Sequence, residues 1–183
     1  MRMLIQGGPG SGKSALAIKI ANITGTPVFH LDDIFWLPNW KENPLKNFRK
    51  EVEILVKNDK WIIDGNYNKI IDLTLPRATV VVFLDLTLYN SLLRLFFRGF
   101  GRNSPIKIGE ITPLPKNVQD KGSIKRIFES IFVLWYYAIN FRLRKKSNMI
   151  ERLTEYKSDK TILFFKRKEH VESFVSSFLK KYS

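Results

Sequence analysis

The chain has 183 residues, of which 44% are hydrophobic and 26% charged, with no cysteine and a formal charge of +14. That length suits one domain with a sizeable core, and the lack of cysteine excludes a disulfide framework and a thiolate metal site. Residues 1–85 hold 11 basic and 9 acidic side chains while residues 86–183 hold 20 and 8, an asymmetry that points either to a polyanion or to a plain solvated basic face.

The longest uninterrupted apolar run, Ile131 to Ile139, is nine residues, too short to span a bilayer. The first apolar run begins at Met3, which leaves no room for a signal peptide ahead of it. A soluble cytoplasmic protein without membrane insertion is expected.

In chain order, Met3-Leu4-Ile5 predicts a short buried strand. It runs into Gly7-Gly8-Pro9-Gly10-Ser11-Gly12-Lys13-Ser14, a glycine, four residues and Gly-Lys-Ser, which is the Walker A pattern. Leu16, Ile20 and Ile23 then recur at the spacing of one helix face. Strand, loop and helix together are the setting this motif needs. Its glycines let successive N–H groups turn inward around phosphate oxygens, and the helix N-terminus adds a positive dipole end. Gly8, Pro9, Gly10, Ser11, Gly12, Lys13 and Ser14 are therefore the expected nucleotide site. Lys13 would reach the β- and γ-phosphates, and Ser14 would give its hydroxyl to Mg²⁺. ATP and Mg²⁺ are the expected cofactors.

Thr24-Gly25-Thr26-Pro27 reads as a turn. Val28 to Leu31 reads as a second strand, ending at Asp32 and Asp33, followed by an aromatic loop, Ile34 to Trp40, broken by Pro38. A helix is predicted from about Pro44 to Asn58, with Phe48, Val52, Leu55 and Val56 as its apolar stripe. Trp61-Ile62-Ile63 predicts a third strand, closed by Asp64-Gly65-Asn66-Tyr67. Thr79 to Leu84 is near-continuous in β-branched residues, as strands buried on both faces are, and Asp85 ends it. A helix follows from about Leu88 to Phe97.

Residues 99–122 hold four glycines and three prolines without a clear period and read as a lid or long loop. A long helix from Ser123 to about Lys145 is expected to bury Phe128, Phe132, Trp135, Tyr136 and Ile139. Thr161 to Phe165 predicts a fifth strand, and a last helix carries Val171, Phe174, Val175 and Phe178. Five strands alternating with helices predict an α/β fold, a parallel sheet flanked by helices, in one domain over residues 1–183. Ligands in such sheets collect at the carboxyl ends of the strands. The P-loop, Asp32/Asp33, Asp64 and Asp85 should then meet at one cleft.

The P-loop, His30-Leu31-Asp32 with Trp36 and Trp40, Trp61 to Tyr67, and Phe83-Leu84-Asp85 together resemble the bacterial topology modulation proteins. These are small P-loop proteins of the adenylate-kinase-like class. The resemblance implies a P-loop fold of the nucleoside/nucleotide kinase type, a sheet ordered 2-3-1-4-5, a lid around 99–122, and phosphoryl transfer. The family name implies an influence on DNA topology.

Two acids compete for the metal side. Asp85 has the longer apolar strand before it. The kinase fold places the third strand beside the P-loop strand with its Asp-Gly facing the metal, which by resemblance favours Asp64, through water, together with Ser14. Arg94, Arg98 and Arg102 recur every four residues. By resemblance, Arg94 and Arg98 would close over the phosphates as catalytic cations; the other reading is a basic solvated face. Arg126, Arg142 and Arg144 are weaker candidates.

On the acceptor side, Asn66-Tyr67 stands where adenylate kinase has Phe-Pro-Arg. Asp32 resembles the acceptor-side Asp of small-molecule kinases, where a carboxylate orients a hydroxyl and takes its proton. A helix cap or ion-pair partner is the alternative for Asp32. Trp36, Asn66 and Tyr67 complete the expected acceptor site around Asp32, and His30 and His170 read as structural.

Three functions fit. The leading one is an ATP-dependent kinase acting on a small-molecule acceptor. The others are a nucleic-acid-associated NTPase with weak nonspecific binding, and a low-turnover nucleotide-dependent regulator.

Overall fold

The computed structural model describes residues 1–38, 41–89, 91–93, 135–136, 138–156 and 160–182. The chain runs β1 (Arg2–Gly7), α1 (Lys13–Thr24), β2 (Val28–His30), α2 (Leu31–Phe35), β3 (Trp36–Leu37), β4 (Lys41–Glu42), α3 (Leu45–Leu55), β5 (Trp61–Asp64), α4 (Ile71–Thr74), β6 (Val80–Leu84), α5 (Lys146–Glu155), β7 (Thr161–Phe165) and α6 (Lys168–Tyr182). Five strands form one parallel sheet in the order β2-β5-β1-β6-β7. Counted among themselves they read 2-3-1-4-5, with the P-loop strand at the centre. This is an α/β fold, a five-stranded parallel sheet flanked by helices.

The central strands are apolar on both faces because helices cover both. Met3, Ile5, Val82 and Leu84 face Leu16, Ala17 and Ile20 of α1 and Val171, Phe174, Val175 and Phe178 of α6. On the other face, Leu4, Ile63, Val81 and Phe83 meet Phe48, Val52 and Leu55 of α3 and Met149 and Leu153 of α5. Alternate residues of one strand thus serve two layers, each buried side chain contributing about 1.5–3 kcal/mol. Phe48 is fully buried, and its truncation to alanine would cost about 3–5 kcal/mol.

Several elements differ from the sequence expectation. The second strand stops at His30, and Leu31 opens α2, so Asp32 stands in a helix's first turn, not at a strand end. Acidic residues are favoured there by the helix dipole, and both Asp32 and Asp33 occupy that turn. The expected aromatic loop is in part structured: Trp36 pairs with Glu42 and Leu37 with Lys41, antiparallel. Asn43 holds this hairpin. Its N–H donates to Phe35 O at 2.7 Å, and its side chain donates to Ile34 O and to Glu51 Oε1, each at 3.0 Å.

The helix expected to end near Lys145 does not end there. A π-helical turn, Phe141–Lys145, leads directly into α5. Tyr136 and Ile139, expected in the core, are 65% and 39% exposed, while Ala138, Phe141, Met149 and Leu153 are buried. Ala138 and Phe141, three residues apart, share the buried face, and Tyr136 and Ile139 fall on the opposite side of the same helix. Residues 94–134, with the expected lid at 99–122 and Phe128 and Phe132, lie outside the described residues.

Candidate active site

Gly7 ends β1 with φ +146°, and a Cβ there would stand 2.5 Å from Leu84 O. The loop beyond it is closed by Ser11 N–H donating to Gly8 O at 3.2 Å. Gly12, in the left-handed region, caps α1, and Lys13 Nζ reaches across the loop to donate to Gly8 O at 3.1 Å. The first turn of α1 carries no acidic residue of its own, and its positive dipole end faces the loop.

Sheet register brings Ser14, Asp64 and His30 together. Ile5 is level with Asp64, and Asp64 is level with His30, so the ends of β5 and β2 meet beside the P-loop. Ser14 Oγ donates to Asp64 Oδ2 at 2.5 Å. His30 Nδ1 lies 2.5 Å from Asp64 Oδ1. Asp64 is buried, and its hydrogen bond holds the His30 imidazole above its usual range, against the opposing effect of burial.

His30, expected to be structural, ends the second strand as Asp64 ends the third, and those strands are neighbours in this order.

Asp85 ends β6 on the opposite side of β1. Its carboxylate lies 2.7 Å from Lys146 Nζ and 3.7 Å from Arg142 Nη1. Asp85 thus fastens the start of α5 near the P-loop, where Phe141 approaches Gly8 so closely that a Cβ on Gly8 would be 3.1 Å from its ring. Of the two competing acids, Asp64 stands beside Ser14 and Asp85 beside two cations.

Asp32 and Tyr67 are brought together across the mouth of the sheet, with Tyr67 OH donating to Asp32 Oδ1 at 2.6 Å. Burial, and then the negative charge of Asp32, push the Tyr67 phenol far above its usual range, so it stays a donor. The Phe35 ring lies 4.7 Å from Tyr67, 5.0 Å from Trp36 and 5.3 Å from Phe48. Asp32, Trp36 and Tyr67 therefore share one aromatic-walled region. Asn66 does not join them: its carboxamide is engaged by the Gly7 peptide on the P-loop side. Trp40, Arg94, Arg98, Arg102 and Arg126 lie outside the described residues.

Among the described residues no three His, Asp or Glu side chains cluster as a self-sufficient metal site. The donors beside the loop, a hydroxyl and a carboxylate, suit a hard cation that keeps waters and takes phosphate oxygens, as Mg²⁺ does. Ser14 and Asp64 fit that ion.

No protein-family model matches the chain, and no curated protein matches it in sequence. One solved structure similar to it is the shikimate kinase of Aquifex aeolicus VF5. The similarity covers 99% of this chain and 95% of that one, at 18% identity and a TM-score of 0.47. No helix among the described residues is long and apolar enough to cross a membrane.

Proposed function

We propose that this protein is an ATP-dependent phosphotransferase acting on a small acceptor that bears a hydroxyl group. The observation that carries the reading is the pairing of two sites at one end of one sheet. Ser14 and Asp64 stand together at the foot of the P-loop, and the Asp32–Tyr67 pair stands beyond them among aromatic rings. A P-loop alone fits any nucleotide-dependent protein; a second carboxylate at the same end of the sheet, Asp32 held by Tyr67, is what a kinase needs in addition.

Bound Mg-ATP would supply the activated phosphoryl group. Lys13 and the loop N–H groups would neutralise its β- and γ-oxygens, while Ser14 and Asp64 would hold the metal that offsets the phosphate charge. Asp32 orients the acceptor hydroxyl and takes its proton, Tyr67 fixes that carboxylate, and Phe35 and Trp36 provide a flat apolar wall. Arg94 and Arg98 are proposed to cover the phosphates. Most of the rate would come from positioning and electrostatics. Such a kinase is compatible with the resemblance to the topology modulation proteins.

The charge distribution supports a second reading, a nucleic-acid-associated NTPase, since residues 86–183 hold 20 basic against 8 acidic side chains. One experiment separates the two: labelled ATP with Mg²⁺ and a panel of hydroxyl, nucleoside and nucleotide acceptors, with ADP release measured with and without DNA. Label transferred to a hydroxyl acceptor, and lowered on the order of 10²–10⁴ in kcat by Asp32→Asn with ATP binding kept, is the expected result. No transfer, together with DNA-stimulated ADP release, would favour the second reading.

A further inference from the structure

Gly7 is the residue where the sheet ends and the phosphate loop begins. Along β1 the odd-numbered residues bond toward β5: Trp61 N–H donates to Met1 O at 3.1 Å, and Gly65 N–H to Ile5 O at 3.3 Å. The even-numbered residues bond toward β6, as Thr79 N–H to Arg2 O at 2.8 Å. Gly7 is the next odd residue, so its peptide groups face the continuation of β5. But β5 has ended at Asp64, and Gly65, at φ +142°, turns the chain away.

The Asn66 side chain supplies the next rung. Gly7 N–H donates to Asn66 Oδ1 at 3.1 Å, and Asn66 Nδ2 donates to Gly7 O. A carboxamide carries the same donor and acceptor as a peptide group, so it lengthens a parallel ladder by one step where the backbone cannot.

We infer that Asn66 is a positioning residue for the phosphate loop, an inference that rests on the nucleotide-binding reading above. Asparagine after glycine often serves a turn by bonding its own neighbouring backbone. Here the partner is 59 residues away in sequence, so the bond joins two strands' ends and not one turn. A loop rich in glycine loses much conformational freedom when it is ordered around phosphate. Fixing the Gly7 peptide on both its polar groups sets the direction in which the chain leaves the sheet, and hence where the N–H groups of residues 8–12 point. The flanking residues reach elsewhere, Asp64 to Ser14 and His30, Tyr67 to Asp32. One four-residue turn thus holds the metal side, the phosphate loop and the acceptor carboxylate in register.

The test uses the full chain and Mg²⁺ with inorganic tripolyphosphate, a probe that engages the phosphate loop without a base or an acceptor. Calorimetry is run well below the unfolding temperature on the parent, Asn66→Ala, Asn66→Asp and Asn58→Ala, the last removing a carboxamide that donates to Leu55 O at 2.9 Å, away from the site. Asn66→Asp is nearly isosteric and keeps the acceptor for Gly7 N–H, but it lacks the donor for Gly7 O. The expected result is a Kd raised roughly tenfold or more in both Asn66 variants and unchanged within about twofold in Asn58→Ala. A merely structural Asn66 would lower the unfolding temperature and leave the Kd of the folded protein alone. A parent-like Kd in either folded Asn66 variant overturns the inference. A parent that binds neither tripolyphosphate nor ATP overturns the nucleotide reading itself, and this inference with it.

Discussion

The Ser14 hydroxyl donates to Asp64 Oδ2 at 2.5 Å, tying the end of the P-loop to the end of the neighbouring strand across 50 residues of sequence. The same carboxylate meets His30 through its other oxygen, so both lone-pair faces of Asp64 are oriented by protein groups. Orientation of this kind is what a metal-side acid requires. Ser14→Ala and Asp64→Asn should each weaken Mg²⁺-dependent turnover by about tenfold or more while changing Mg²⁺-free nucleotide binding less. Asp85→Asn should chiefly lower thermal stability, because it releases Lys146 and Arg142. Initial rates against Mg²⁺, beside calorimetry in chelator, check this; a greater loss of Mg²⁺ dependence in Asp85→Asn would exchange the two roles.

Lys13 lies across the P-loop with its ammonium on Gly8 O, a contact that phosphate oxygens would replace. Lys13→Ala should weaken ATP binding by about tenfold to a hundredfold, the loss of a charge-assisted contact of about 1.5–3 kcal/mol. Its unfolding temperature should stay close to that of the parent. Equal ATP affinity in the two proteins would remove Lys13 from the site.

Tyr67 carries the clearest pH signature. Its phenol is raised above the ordinary value by burial and by Asp32. The neutral form is therefore favoured by folding, and the stability this contributes is complete below about pH 10 and is lost as pH rises beyond it. Urea unfolding should show the parent losing stability above pH 10 more steeply than Tyr67→Phe. Absorbance at 295 nm should show the same number of ordinary tyrosines titrating in both proteins. A phenol in the parent that titrates near 10 and vanishes in the variant would mean that Asp32 does not hold Tyr67.

The basic half sets a limit on nucleic-acid binding. If it contacts duplex DNA, log affinity should fall with log salt by roughly 0.9 per phosphate engaged, whatever the sequence. Fluorescence anisotropy should find weak binding that fades near physiological salt. Submicromolar affinity there would move the function to the second reading.

By itself, the sequence was enough to identify what is contiguous. Gly7 to Ser14 needs no partner to be recognised, since the loop's chemistry lies in eight successive residues. Val80–Leu84 and Thr161–Phe165 were legible because a strand covered on both faces is one apolar run. The stripe of α3 was legible because its buried Phe48, Val52 and Leu55 repeat at the helical period. Only the tertiary structure decided which strand ends stand side by side. His30 with Asp64, Tyr67 with Asp32 and Asn66 with Gly7 are separated by 34, 35 and 59 residues. Each pair is made by strand order and register, which no local period encodes. The same holds for Asp85: its apolar strand announced a carboxylate at a strand's carboxyl end, and only the packing of α5 beside β6 turned that carboxylate toward Lys146 and not toward Ser14.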